Sequence, residues 1–238
     1  MTPLLPPPAP ALPASIFLLG AGGLGCAAAL ALSGLPGIRL TIADPDRIAI
    51  SNLHRQILYS SGDIDACKVE KAANRLKTLS SPLEITPLVA RLDTPEAIAG
   101  AARGHGALLD ATDNFPTRFA ANDAAIRLGI PLVHGAATAL AGQLLTILPG
   151  RSACLRCLFG GPPPLEGPTC VNAGVLGPLV GEVGWLMAME TVKLHTGTGQ
   201  LLINRLLTIH ALTGRRRAVP LRPNPRCPCH HQPGPATP

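Results

Sequence analysis

The stretch SIFLLGAGGLGCAAALALSG, residues 15–34, decides the fold. It opens on an apolar run suited to a buried strand (15–20) and turns through Gly20, Gly22, Gly23 and Gly25. It then continues as LGCAAALALSG (24–34), a helix that Gly34 ends. IRLTIA (38–43) reads as a second strand, which completes a βαβ unit. A glycine turn between strand and helix lets the backbone approach an anion, and the helix start offers N–H groups with no partner inside the helix. Asp44 closes the second strand, where an acidic side chain accepts hydrogen bonds from ribose hydroxyls. A nucleotide site is expected, and the fingerprint alone serves NAD as well as ATP.

Outward from this unit the alternation continues. ACKVEKAANRLKTLS (66–80) has helical composition, EITPLV is a weak strand and GALLDAT (106–112) a stronger one. PTRFAANDAAIRLG (116–129) starts with Pro and ends with Gly, as a helix does. PLVHGA and QLLTIL read as further strands, a long helix is expected over roughly 178–196, and LLIN and LLTIHAL as strands after it. The predicted class is α/β, a doubly wound, mostly parallel Rossmann-like sheet with helices on both faces. Residues 1–14 are read as a disordered Pro/Ala-rich leader, 15–220 as one nucleotide-binding domain with a mobile Pro/Gly loop at about 158–172, and 221–238 as a tail carrying a Cys pair and a predicted zinc clamp.

Composition narrows the options. The chain has 238 residues, 47% hydrophobic but only 3% aromatic, so the core is built from Leu, Ile, Val and Ala, as suits parallel strands covered by helices. The net charge of +6 invites a nucleic-acid reading, yet the run Arg215–Arg217 has no interleaved aromatics to stack bases, and it is read as a solvated tail. The N-terminus lacks the Lys or Arg of a secretory signal, and no stretch offers the roughly 18 uninterrupted apolar residues of a spanning helix. A cytoplasmic protein is expected, its seven cysteines present as thiols, metal ligands or catalysts.

SNLHRQ (51–56) follows the second strand as a polar island. Dehydrogenases have no need of such a cluster, whereas a triphosphate does. Asn52, Arg55 and Gln56 with Lys68 supply polar and cationic groups for phosphates, and Asp113, just past the strand ending at Asp110, supplies a carboxylate for Mg²⁺. All lie at carboxyl ends of successive strands, where doubly wound sheets bind ligands. His54 is read as a spectator, and His134 as a core residue with one nitrogen satisfied.

These blocks, with DATDNFPTR (110–118), CLRC (154–157), TCVNAGVLGPLVGEVG (169–184) and the terminal Cys pair, resemble the ThiF/MoeB/HesA family, bacterial relatives of ubiquitin-activating enzymes. The resemblance runs from about residue 16 to 229. It implies an adenylyltransferase that joins the C-terminal Gly-Gly carboxylate of a ubiquitin-like sulfur-carrier protein to AMP from Mg·ATP, in a thiamine, molybdopterin or related thiocarboxylate pathway. It further implies Asp44 on ribose, Asn52, Arg55, Gln56 and Lys68 on phosphates, Asp113 on the metal, a homodimer, and a sulfurtransferase or cysteine desulfurase as a further partner. Family members often carry an N-terminal Arg that reaches the partner subunit's phosphates, and residues 1–38 here contain none.

Cys154 and Cys157 have the spacing of a zinc-binding pair, which the family completes near the C-terminus. Here that element is CPCH, so the expected Zn²⁺ site is Cys₄ with Cys227 and Cys229, or Cys₃His using His230. Cys170 matches a family position that engages the carrier or a sulfur donor, and is read either as a nucleophile or as an exposed thiol. Cys26 and Cys67 are read as packing residues. Two rivals share the fold: an adenylating enzyme acting on a tRNA-base carboxylate, and a catalytically impaired homologue that only binds a carrier.

Overall fold

The computed structural model describes residues 15–79, 83–162 and 174–230, apart from the His230 side chain. The expected leader (1–14) and most of the expected loop, together with Cys170, lie outside the described residues. One sheet of eight strands runs in the order β3-β2-β1-β4-β5-β6-β7-β8. Its strands are β1 (Ser15–Leu19), β2 (Arg39–Ala43), β3 (Glu84–Leu88), β4 (Ala107–Asp110), β5 (Leu132–Thr138), β6 (Ala141–Ile147), β7 (Arg205–His210) and β8 (Arg215–Pro220). The first five in this order of space are parallel, with β1 between β2 and β4. β6, β7 and β8 are added antiparallel, β6 and β8 through short turns and β7 after the long segment that carries α5 and α6.

The sheet is doubly wound as expected. One face packs against α1 (Gly23–Ser33), α2 (Lys68–Leu79) and α6 (Gly177–Thr196), around Leu18, Leu40, Ile42, Leu109, Val133 and Met187. The other packs against α3 (Pro95–Ala101), α4 (Phe115–Leu128) and α5 (Leu155–Phe159), around Phe17, Leu108, Leu132, Leu145, Ile98 and Phe119. Alternate residues of β1 thus enter opposite cores, so both of its faces are apolar and it reads as an unbroken hydrophobic run. α6 lies directly on α1: a Cβ at Gly184 would meet the Leu24 carbonyl oxygen at 2.6 Å.

α4 shows its boundaries in sequence. Asn114 caps it, its side chain accepting from the Thr117 N–H at 2.9 Å, Pro116 stands in the first turn, and Gly129 ends it at φ 69. Three sequence readings need correction. LLIN (201–204) is no strand: Asn204 sits at φ 56, and the Leu202 N–H is spent on the Glu190 carboxylate at 2.8 Å. The Arg215–Arg217 run is not a solvated tail but the start of edge strand β8, whose side chains are all exposed. The expected loop starts too early: Leu158 and Phe159 still belong to the short helix α5, which begins after Cys154.

Candidate functional site

β1 is the strand at which chain connections reverse from one side of the sheet to the other, and the crevice at its carboxyl end is the expected ligand position in such a sheet. A cavity of about 330 Å³ opens there, with Gly20, Gly22, Gly23, Asp44, Asn52, Arg55, Gln56, Lys68, Asp113 and Arg118 in its walls. The sequence reading named all but the last. Gly25 lies behind the cavity, where a Cβ would collide with the Gly20 carbonyl oxygen. Gly20 itself, at φ 102, passes so close to β4 that a Cβ would meet the Ala111 carbonyl at 2.8 Å. α1 begins without a side-chain cap and without an acidic residue in its first turn, so its leading N–H groups are not claimed by the protein's own carboxylates.

Asp44 fastens this turn. Its Oδ2 accepts from the Ala21 N–H at 2.7 Å and its Oδ1 from the Asp46 N–H at 2.8 Å. The Lys68 ammonium lies 3.8 Å from Asp44 and donates to Asp46 at 2.8 Å. Lys68 is 5% exposed and Asp44 8%, so both charges are held out of water by each other and by backbone donors. Burial pushes the Asp44 carboxyl above its ordinary value, while Lys68 and the two N–H groups pull it back down. Asp46, to which the sequence reading gave no role, is the direct partner of Lys68.

The polar island folds as consecutive turns beginning with a 3₁₀ turn, Ile50–Asn52. Arg55 donates through Nη2 to Asn52 Oδ1 at 2.7 Å and through Nη1 to the Ser51 carbonyl at 3.3 Å, with exposed His54 beside it. Tyr59 ties the segment to the glycine turn by donating to the Ala21 carbonyl at 2.8 Å. Gln56 is 3% exposed, and its Oε1 is the one fully buried side-chain polar atom without a partner among the described residues. A buried amide oxygen left so costs about 1–3 kcal/mol, so it awaits a donor. Asp113 is exposed and has no ion pair among the described residues, which suits a hard cation.

The strand ending at Asp110 brings a second buried network. Asp110 accepts from Thr112 Oγ1 at 2.6 Å and lies 2.7 Å from His134 Nδ1. Burial alone would raise the Asp110 carboxyl, but His134, the Arg118 charge and the Thr112 hydroxyl hold it below its ordinary value. Arg118, 6% exposed, donates through Nε and Nη2 to the Thr112 carbonyl at 3.2 and 3.0 Å. The signal for it was in DNFPTR: an Arg one turn beyond an Asn cap at the end of a buried strand. A second cavity, of about 220 Å³, shares Arg118 and Ala137 with the first and is walled by Phe115, Phe119, Phe159, His134 and Gln143.

Outside the walls of both cavities, Cys154, Cys157, Cys227 and Cys229 converge, their sulfurs all within 4.8 Å of one another. A tetrahedral Zn–S site sets sulfurs about 3.8 Å apart. Cys154 lies 3.8 Å from Cys157 and 3.7 Å from Cys227, while Cys229 is 2.9 and 2.8 Å from Cys154 and Cys227. None is at the roughly 2.05 Å of a disulfide. Burial pushes the Cys154 thiol up to about 11, the state a soft cation reverses by taking thiolate ligands. The donor set fits zinc, and the structure brings together the Cys₄ alternative; the His230 side chain is outside what it describes. Cys26 is buried, its thiol pushed up to about 11, as suits packing.

Fold and site together define a doubly wound α/β protein with an anion-facing glycine turn, buried cations and a separate four-thiol cluster. The chain belongs to the ThiF family, whose model matches residues 11–229. It is 40% identical over 227 residues to "Sulfur carrier protein adenylyltransferase" of Thermus thermophilus, covering 92% of this chain and 83% of that one. It is 39% identical to "SAMP-activating enzyme E1" of Haloferax volcanii, covering 90% and 78%. With "Adenylyltransferase and sulfurtransferase MOCS3-1" of Zea mays it shares 40% identity over 87% of this chain but 44% of that one, so it spans about half the length of this relative. The solved structure of E. coli MccB with ATP superposes with a TM-score of 0.80 over 92% of this chain and 67% of that one; at 18% identity this speaks for the fold alone. Among the described residues no helix is long and apolar enough to cross a membrane.

Proposed function

We propose that the chain is an ATP-dependent adenylyltransferase that activates the C-terminal Gly-Gly carboxylate of a small ubiquitin-like sulfur-carrier protein. The observation that carries the reading is one cavity joining the glycine turn, the buried Asp44–Lys68 pair, Arg55 on Asn52, and the Gln56 Oε1 and Asp113 carboxylate, which lack a hydrogen-bond partner and an ion pair respectively among the described residues. The names of the 40% identical relatives support the substrate class.

In this scheme a carboxylate oxygen of the carrier attacks the α-phosphorus of ATP. The bond from that phosphorus to the oxygen bridging to the β-phosphate breaks, and pyrophosphate leaves with the electron pair. The carboxylate is already ionised, so no base is needed. The chain must align two anions and neutralise the charge gathering on the leaving phosphates. Lys68 and Arg55, with Asn52, Gln56 and the first N–H groups of α1, act on the phosphates, and Asp44 accepts from the ribose. Asp113 would hold Mg²⁺, which supplies further neutralisation of the phosphate oxygens. Cys154, Cys157, Cys227 and Cys229 would hold Zn²⁺ as a structural tie.

A sulfurtransferase or cysteine desulfurase is the further partner in this scheme: its persulfide attacks the activated acyl carbon, the bond from that carbon to the phosphate oxygen breaks, and AMP leaves. Trp185 and Met189, half-exposed on α6, support a homodimer through that helix, and four clustered thiols suit the reducing cytoplasm. The test is ATP–pyrophosphate exchange by purified protein with Mg²⁺ and candidate carriers. Exchange dependent on a carrier is expected; exchange that appears with tRNA instead, or never, overturns the reading.

A further inference from the structure

Four cations line the first cavity and differ in standing: Arg91 is exposed, and the other three are held within the site. Lys68 faces two carboxylates, Asp44 and Asp46. Arg55 is folded onto its own loop at Asn52 and Ser51, at the glycine-turn side. Arg118 alone is shared by both cavities, and it is nine-tenths buried. Two of its nitrogens rest on a neutral carbonyl, that of Thr112, and its guanidinium lies 5.3 Å from the Phe115 ring centre. Among the described residues it has no carboxylate within ion-pair distance, and its Nη1 makes no hydrogen bond. The nearest acid of its network, Asp110, is already engaged by His134 and Thr112. A buried guanidinium in this state is oriented for an anion that arrives from outside.

The second cavity says what kind of molecule brings that anion. Its walls are mainly apolar, with three phenylalanines, and besides Arg118 its polar members are Thr138, Gln143 and the His134 ring already on Asp110. Phosphates are poorly served there, whereas a peptide with an apolar side chain is well served. Ala137 and Arg118 form the border between this chamber and the one with the phosphate-facing groups.

Resting on the adenylation reading, we propose that Arg118 binds the C-terminal carboxylate of the acyl substrate, and that the Phe115/Phe119/Phe159 cavity receives an apolar side chain just upstream of the two glycines. Arg118 holds the attacking oxygen beside the α-phosphate, while Lys68 and Arg55 serve the nucleotide. Arg118 is thus a substrate-binding residue whose loss weakens carrier binding and spares ATP binding.

The experiment measures KM for carrier and for ATP separately in ATP–pyrophosphate exchange, using the full chain and a carrier ending in Gly-Gly. Arg118→Met is expected to raise the carrier KM by on the order of tenfold to a hundredfold, the effect of losing a charged hydrogen bond, with the ATP KM within about twofold. Arg118→Lys recovers part of the loss. Phe159→Ala, at a residue 46% exposed and so dispensable for folding, raises the carrier KM several-fold only when the residue before Gly-Gly is apolar rather than Ala. Equal increases in both KM values, or an unchanged carrier KM in Arg118→Met and Phe159→Ala, overturn the assignment. Should Arg118→Met lose the wild-type melting temperature, Arg118→Lys and Phe159→Ala decide. Wild-type protein with no carrier-dependent exchange sinks the adenylation reading and this inference with it; carrier-dependent exchange with insensitive variants sinks this inference alone.

Discussion

Two regions of the molecule are dense in charge and treat it oppositely. At the carboxyl ends of β1, β2 and β4, Asp44, Lys68, Asp110 and Arg118 are each at least nine-tenths out of water. Along β8, Arg215, Arg216 and Arg217 stand in it, and Arg216 pairs with Glu182 across the surface. Removing an ion from water costs several kcal/mol even after relaxation, whereas an exposed pair contributes about 0–1 kcal/mol. The chain bears that cost at the carboxyl ends of interior strands and avoids it along edge strand β8, so desolvation, rather than charge density, separates the site from the surface.

The largest expected effect tests this separation directly. Arg55→Ala and Lys68→Ala should each lower carrier-dependent exchange by roughly a hundredfold or more, the scale on which one electrostatic stabiliser of a reacting group acts. Arg217→Ala should leave turnover within about twofold. Comparable losses from both groups would erase the distinction.

Next comes the metal. Purified protein should contain one zinc per chain by elemental analysis, and Cys154→Ser should abolish it and lower the melting temperature by several degrees. Retention of full zinc content in the variant would remove Cys154 from the ligand set.

Acid unfolding sharpens the comparison further. Asp110 is held below its unfolded value, so its stabilisation is fully present above about pH 4 and is lost as pH falls through its folded value. Asp63, held at about 2 by Lys71 and Ser60, follows the same sign, its share fading between about pH 4 and pH 2. Asp110→Asn and Asp63→Asn should both flatten the acid limb of melting temperature against pH. The Asp63 effect should shrink in 1 M salt while the Asp110 effect persists, because only exposed pairs are screened. The smallest effect belongs to Arg216→Ala, expected within about 0.5 kcal/mol of wild type in chemical denaturation.

Much of this was legible in the residues. The β1-turn-α1-β2 unit announced itself because β1 is apolar on both faces and the glycines are needed where they stand. The polar island and Lys68 were found because charged groups beside buried strands are conspicuous in so apolar a chain. Other elements failed for physical reasons. LLIN has strand composition, yet Glu190 takes the backbone donor a ladder would use. β8 has the composition of a tail, yet an edge strand with both faces wet does not need apolar alternation. Arg118 was quoted within a motif without being weighed, since nothing linear reveals that its helix turns it onto the Thr112 carbonyl between two chambers.

The thiol cluster has a consequence beyond its ligands. Cys154 and Cys227 are 73 residues apart in the chain, and between them lie α6, β7 and β8. Joining them through a metal closes that whole span into a ring anchored on the parallel core, which removes much of the freedom its unfolded form would enjoy. The antiparallel half then cannot peel away as its own cooperative unit. Amide hydrogens of β7 and α6 would exchange with the same opening free energy as those of β4 while the metal is bound, and faster once a chelator removes it.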